Sequence, residues 1–374
     1  MSRPPRSGAR GPAFAPSHMA LDVAAARAAL TATATAFAGF RVRYAVKANP
    51  HPALLRSFAA RGIGFDVASV AEADLCLDAG ADAAHLTYGN PIRSTRDIAR
   101  AYDRGVRVFA LDTADEARRL GAVAPGAGAL IRLAVEPAPA GRKFGCLPRE
   151  ATTIASSAAR AGLDVVGLAL HIGTQRRDPR AWDAAVASAA RVWELLRRTG
   201  MSPRVLDLGG GLPARDRRPT PPLTEFATAI RAAVARGFDE PPAEVAINPG
   251  RVLVAEAAVL FTTVHAVAHR EDAVRWVFLG AGVWNAGLVD GRDGRFEYPV
   301  TAPDFAPDEP VSDALLGGPT CDGADVLRAG DPYRLPSALR EGDRVAVWSV
   351  GAYTTTTAAV GFNGLAPLPV HVVG

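Results

Sequence analysis

Short apolar runs alternate with longer amphipathic stretches through the first two thirds of the chain. Runs with strand character fall at 43–48, 64–68, 84–88, 106–111, 129–135, 165–171, 205–208 and Glu244–Ile247. Between them, apolar residues recur at helical spacing over 52–61, 70–79, 95–104, 113–120, 149–161, 181–198 and 224–236, after an alanine-rich helical stretch at 21–37. Gly62, Gly80, Gly105, Gly162, Gly200 and Gly237 follow these stretches, where glycine is the expected helix stop. Eight strands with a helical segment after each predict a parallel sheet closed as a (β/α)8 barrel, with an open doubly wound sheet as the alternative. Past about residue 268 the pattern changes. Short runs at 276–279, Arg344–Trp348 and Val370–Val373 alternate with Gly, Pro and Asp turns, and no long helix intervenes. A second, mainly antiparallel β domain is predicted there. The expected organisation is a mobile tail over 1–20, a barrel over 21–268 and a β domain over 269–374.

Composition narrows the class. With 374 residues, 49% of them hydrophobic, the chain can bury a large core. The net charge of +4 is spread along the sequence without a Lys/Arg block, so nothing points to nucleic acid. No run reaches the roughly 20 apolar residues of a membrane span, and the first 18 residues lack the apolar centre of a signal peptide. The cysteines Cys76, Cys146 and Cys321 form no CxxC pair, which fits a reducing compartment. A cytoplasmic protein is expected.

The chemistry starts at the first strand. Its apolar run carries Lys47 near the carboxyl end and breaks at Pro50. A lysine in an apolar strand is costly to keep charged, and a neutral amine is a nucleophile able to form a Schiff base. Snorkelling to the surface is the alternative. In a barrel the active site lies at the carboxyl ends of the strands. Those ends supply Lys47, then Asp66 and Ser69, Asn90, Asp112, His171 with Gly173 and Thr174, Gly209-Gly210-Gly211, and Asn248-Pro249-Gly250-Arg251. Consecutive glycines expose backbone N–H groups that suit a phosphate, as does Gly250-Arg251 beside them. A phosphate site plus an isolated lysine suggests pyridoxal phosphate, with His171 for the ring face; alone, His171 could equally be a core histidine.

The motifs resemble those of the fold-type III pyridoxal-phosphate decarboxylases, the ornithine and diaminopimelate decarboxylase group. They are Tyr44-Ala-Val-Lys47-Ala-Asn-Pro, Gly64-Phe-Asp66-Val-Ala-Ser69, Lys143-Phe-Gly145, His171-Ile-Gly-Thr174 and Asp207-Leu-Gly-Gly-Gly211. Pro249-Gly-Arg251, Gly318-Pro-Thr-Cys321-Asp322, Gly351-Ala-Tyr353-Thr and Phe362-Asn-Gly364 follow in the family's order. The resemblance implies that Lys47 carries the cofactor as a Schiff base, His171 stacks on its ring and Asp66 lies near both. It implies that Thr174, Gly209, Gly210, Gly211, Gly250 and Arg251 bind the phosphate, with Tyr353 closing over it. Cys321 would return a proton to Cα from the partner subunit of a homodimer. Asp322 and Asp290 would meet the distal end of an amino-acid substrate. Read without the resemblance, Cys321 could be an inert thiol and the two aspartates ordinary turn residues.

One position departs from the family. Its pattern at the eighth strand is Glu-Pro-Gly-Arg, and the glutamate pairs with the protonated pyridine nitrogen; here the residue is Asn248. An amide carries no charge and donates or accepts equally. Glu244 shares the strand face but lies about 13 Å away at ~3.3 Å per residue. The substitution is therefore expected to weaken the electron sink, slowing turnover or redirecting the chemistry. Three functions stay open: an amino-acid decarboxylase for an ornithine-, lysine- or diaminopimelate-like or natural-product precursor; a pyridoxal-phosphate racemase or other lyase on the same barrel; and a catalytically weak binding protein.

Overall fold

A computed structural model describes residues 17–135, 143–270 and 274–373. The chain divides into two compact units: 23–215 with 219–255, and 256–374 with 216–218 and the segment ending at Asp22.

The first unit begins with α1 (Val23–Ala36), after the strand β1 (His18–Asp22) that belongs to the other unit. It then alternates β2 (Arg41–Ala45), α2 (Pro52–Ala59), β3 (Gly64–Val67), α3 (Val70–Asp78), β4 (Leu86–Tyr88), α4 (Thr95–Asp103), β5 (Val108–Leu111) and α5 (Ala114–Val123). β6 (Gly128–Arg132), α6 (Pro148–Arg160), β7 (Asp164–Ala169), α7 (Asp183–Arg198), β8 (Val205–Asp207), α8 (Leu223–Gly237), β9 (Glu244–Ile247) and a short α9 (Arg251–Val254) complete it. β2 to β9 form a closed parallel barrel, sealed by pairing of Arg41 and Val42 with Ala246 and Ile247. The open-sheet alternative is thereby excluded. Helix starts are fixed locally. Ser69, Ser94 and Thr113 accept hydrogen bonds from the N–H groups three residues on, of Glu72, Asp97 and Glu116.

The strand expected over 43–48 stops at Ala45, and Val46–Ala48 forms a 3₁₀ turn closed by Asn49 N–H to the Val46 carbonyl. Pro50 and the start of α2 at Pro52 leave no room for a longer strand. Lys47 thus sits on the turn, one step past the barrel wall. The strand expected over 129–135 likewise ends at Arg132, and Leu133 continues only as a bridge to Cys146.

The second unit holds a nine-stranded, mainly antiparallel sheet. Its strands are β1, β10 (Ala258–His269), β11 (Arg275–Leu279), β12 (Val300–Thr301), β13 (Val311–Gly317), β14 (Val326–Leu327), β15 (Tyr333–Pro336), β16 (Arg344–Trp348) and β17 (Val370–Val373). β10 alternates buried and half-buried residues over its first half, the pattern of a strand with one face on a core. It pairs with β1, β11 and β16. Two expectations change here. β10 crosses the boundary placed at 268, and the division falls at 255/256 because that strand's partners all lie in the β unit. The tail expected over 1–20 also ends too late: His18–Asp22 is ordered as a strand between β10 and β17, while 1–16 lie outside the described residues.

Candidate active site

The carboxyl ends of the barrel strands gather the predicted groups in one place. Lys47 is exposed at this mouth rather than buried. Its charge acts on Asp66, Glu72 and His171, which surround it. Asp66 is the penultimate residue of β3, and its Oδ1 is shut from solvent without a partner. A side chain at residue 89 would put its Cβ 2.0 Å from that oxygen, so Gly89 makes room for the carboxylate. Burial raises the Asp66 pKa to about 7, opposed by Lys47 and reinforced by Asp207. The half-buried His171 moves the other way. Burial, then Lys47, Arg132 and Arg176, push it down to about 3, so the ring is a neutral imidazole at physiological pH.

The phosphate candidates lie on three adjoining loops. In the loop after β8, Gly209 N–H donates to Asp207 Oδ1 at 2.8 Å, and the Gly209 carbonyl accepts from Asn248 N–H at 2.8 Å. A Cβ at Gly210 would stand 2.8 Å from the Asn248 carbonyl and 3.9 Å from His171 Cε1; one at Gly211 would stand 2.8 Å from the Gly173 carbonyl. The loops after β7, β8 and β9 are thus in van der Waals contact through bare backbone. Thr174 is exposed on the first, and Gly250 and Arg251 are buried on the third, with Arg251 opening α9. Gln175 ties the first two together, bonding the Ala214 carbonyl at 2.8 Å and N–H at 2.9 Å.

Asn248 is buried, and its Nδ2 donates to both Asp207 oxygens at 3.0 and 3.1 Å. Its Oδ1 is buried without a partner. Asp207 in turn pairs with Arg43 at 3.1 Å, and Arg43 with Glu244.

Other mouth residues are structural. Ser69 caps α3, with Glu72 reciprocating to Ala68 N–H; Asn90 bonds the Ala68 carbonyl and Ile92 N–H; Asp112 accepts from Gly145 N–H at 2.7 Å. Arg132, Arg176, Glu72 and Arg43 were absent from the sequence-based set. For Arg132 a signal existed, a cation at the carboxyl end of an apolar strand.

Cys321, Asp322, Asp290 and Tyr353 all belong to the β unit. Cys321 is exposed, with its N–H on Asn363 Oδ1 at 3.3 Å and its Sγ 3.5 Å from Asn363 Nδ2. Asp325 shapes the turn, accepting from Thr320 N–H and Oγ1 and from Val283 N–H. Asp322 is half-buried and accepts from Ala324 N–H at 2.9 Å, the turn geometry of an aspartate. Asp290 is buried, 4.0 Å from Arg295. Tyr353 is half-buried, with φ of 55°.

The model of the "Pyridoxal-dependent decarboxylase, pyridoxal binding domain" family matches residues 23–255. The chain belongs to this family. It is 34% identical over 336 residues to a lysine/ornithine decarboxylase of Selenomonas ruminantium, covering 87% of this chain and 82% of that one. The crystal structure of SrLDC in complex with PLP and cadaverine superposes with a TM-score of 0.85 at 30% identity, covering 97% of this chain and 91% of that one. Antizyme inhibitor 2 of Xenopus laevis is 29% identical over 344 residues, covering 88% of this chain and 74% of that one. The protein is a pyridoxal-phosphate-dependent carboxy-lyase acting on an amino acid, and the family match leaves the racemase reading without support. The site fits the cofactor: an accessible amine, a neutral imidazole, closely packed glycine loops beside a buried arginine, and an orphaned buried acceptor at Asn248.

Proposed function

We propose that this enzyme decarboxylates a basic amino acid of the lysine or ornithine class. One observation carries the reading: the accessible Lys47 amine stands among Asp66, Glu72 and a neutral His171 at the barrel mouth. When bound, pyridoxal phosphate supplies a sink for the electron pair left at Cα as carbon dioxide departs. Lys47 would hold the cofactor through its aldehyde. His171 covers the ring face without adding charge. The glycines at 209–211, with Thr174, Gly250 and Arg251, grip the phosphate, and Tyr353 closes over it. Cys321 returns a proton to Cα, and Asp322 receives the substrate's distal amine, with Asp290 as a second candidate. The likeness to a lysine/ornithine decarboxylase supports a diamine-forming reaction. The enzyme acts as a homodimer in which Cys321 serves the partner subunit's barrel.

The test is a panel of lysine, ornithine, diaminopimelate and siderophore-type intermediates incubated with holoenzyme, read by mass. Loss of carbon dioxide from lysine or ornithine is expected. Conversion of another panel member alone would reject the substrate class. A catalytically weak binding protein is the second reading, favoured by Asn248 and by the likeness to a protein named as an inhibitor; no conversion of any panel member would favour it.

A further inference from the structure

The amide at 248 looks neutral and symmetrical in the sequence, but its surroundings make it neither. Both Asp207 oxygens lie within 3.1 Å of Asn248 Nδ2. Exchanging the amide's oxygen and nitrogen would set Oδ1 against two acceptors, so the carboxylate dictates the orientation. The amide oxygen is then left buried and unsatisfied, which is costly unless a donor arrives. Behind the amide, one guanidinium, Arg43, is shared by two carboxylates, Asp207 and Glu244. Arg41 pairs with Glu244 in turn, at 3.8 Å, so the two carboxylates are matched by two guanidinium groups.

We propose that Asp207 is a positioning residue: it locks Asn248 as a dedicated acceptor for the protonated ring nitrogen of the cofactor. Arg43, at 3.1 Å, holds the Asp207 carboxylate in place from behind. The inference rests on pyridoxal phosphate occupying the barrel mouth. Oδ1 offers only lone pairs, so an unprotonated ring nitrogen would face it acceptor to acceptor. Protonation turns that clash into a charge-assisted hydrogen bond.

The experiment compares two ligands of the full-length chain freed of cofactor: pyridoxal phosphate and its 1-deaza analogue, in which carbon replaces the ring nitrogen. Fluorescence titration gives each affinity, and borohydride reduction with peptide mapping locates the attachment. The wild type should prefer pyridoxal phosphate by about 10- to 100-fold, the worth of one hydrogen bond to a charged group. The preference should shrink to about threefold or less in Asn248→Leu and in Asp207→Asn, and persist in Asn248→Glu. Merely structural damage weakens both ligands alike and leaves the ratio unmoved. Equal affinities in the wild type, or a full preference retained in Asp207→Asn, would overturn the proposal. Failure of both ligands to attach at Lys47 would instead reject the cofactor's placement, and the proposal with it.

Discussion

Replacing Gly209 with alanine puts a methyl group 2.3 Å from the Leu170 carbonyl oxygen, at a residue whose φ is +67°. Two costs follow. An L-residue in the left-handed region costs about 1–2 kcal/mol. Relieving the overlap requires backbone to move, because the obstacle is a carbonyl and not a flexible side-chain tip; overpacking of this kind costs about 1–3 kcal/mol. Together they come to about 2–5 kcal/mol. Gly39 separates the two, since its φ is +88° and no atom lies within 4 Å of the Cβ position. Gly39→Ala should show only the first cost. Urea unfolding of the cofactor-free variants gives the comparison as midpoint shift times the shared slope. Gly209→Ala should also weaken cofactor binding, because the displaced loop carries the N–H groups proposed for the phosphate, whereas Gly39→Ala should not. A Gly209→Ala shift no larger than that of Gly39→Ala, or unchanged cofactor affinity, would refute this account.

Asp66→Asn tests the buried carboxylate. With its pKa raised from 3.8 to about 7, the native state holds a proton that the unfolded state has released between those values. Its contribution is therefore full below pH 4 and lost as pH rises through 7. The cofactor-free variant should gain on the wild type between pH 5 and 8 by on the order of a few kcal/mol in urea unfolding; the same difference at both pH values would count against it. Cys321→Ala should lower kcat by roughly 10²–10⁴ while cofactor affinity stays unchanged, as loss of a proton donor does. Mixed with Lys47→Ala subunits, it should recover up to roughly a quarter of wild-type activity by random pairing if sites are shared. Failure to recover any would argue for self-contained sites.

Local patterning made the barrel legible. Eight apolar runs with glycine stops translate directly into eight parallel strands. Where turn chemistry competed with apolar content, the sequence misled. Val46 and Leu133 look like strand residues, yet one enters a 3₁₀ turn and the other only a single bridge. β1 was hidden because five residues alone carry no period of their own; its partners are 237 residues or more away. Lys47, Asp66, His171 and the glycines were readable because each lies at or just past the carboxyl end of a barrel strand. Their electrostatic partners were not. Arg43 and Asp207 are 164 residues apart, and Asp207 and Asn248 are 41 apart, so only barrel closure brings them together.

Asn248 shows what closure adds to a motif. In one dimension it replaces a charged acid with a neutral amide, and the expected consequence is a weaker electron sink. In the barrel the amide oxygen is left as a buried acceptor, while the Asp207 carboxylate behind it has its own partner in Arg43. Coulomb energy falls inversely with distance, so a carboxylate moved from about 3 to about 6 Å has roughly half the pull at equal screening, and a guanidinium partner offsets part of what remains. The hydrogen bond itself is not diluted. On the proposal above, the protonated ring is favoured through that hydrogen bond, by less than a contact carboxylate would favour it. The expected defect becomes a graded one, and its size depends on Asp207, which the Arg43 guanidinium holds at 3.1 Å.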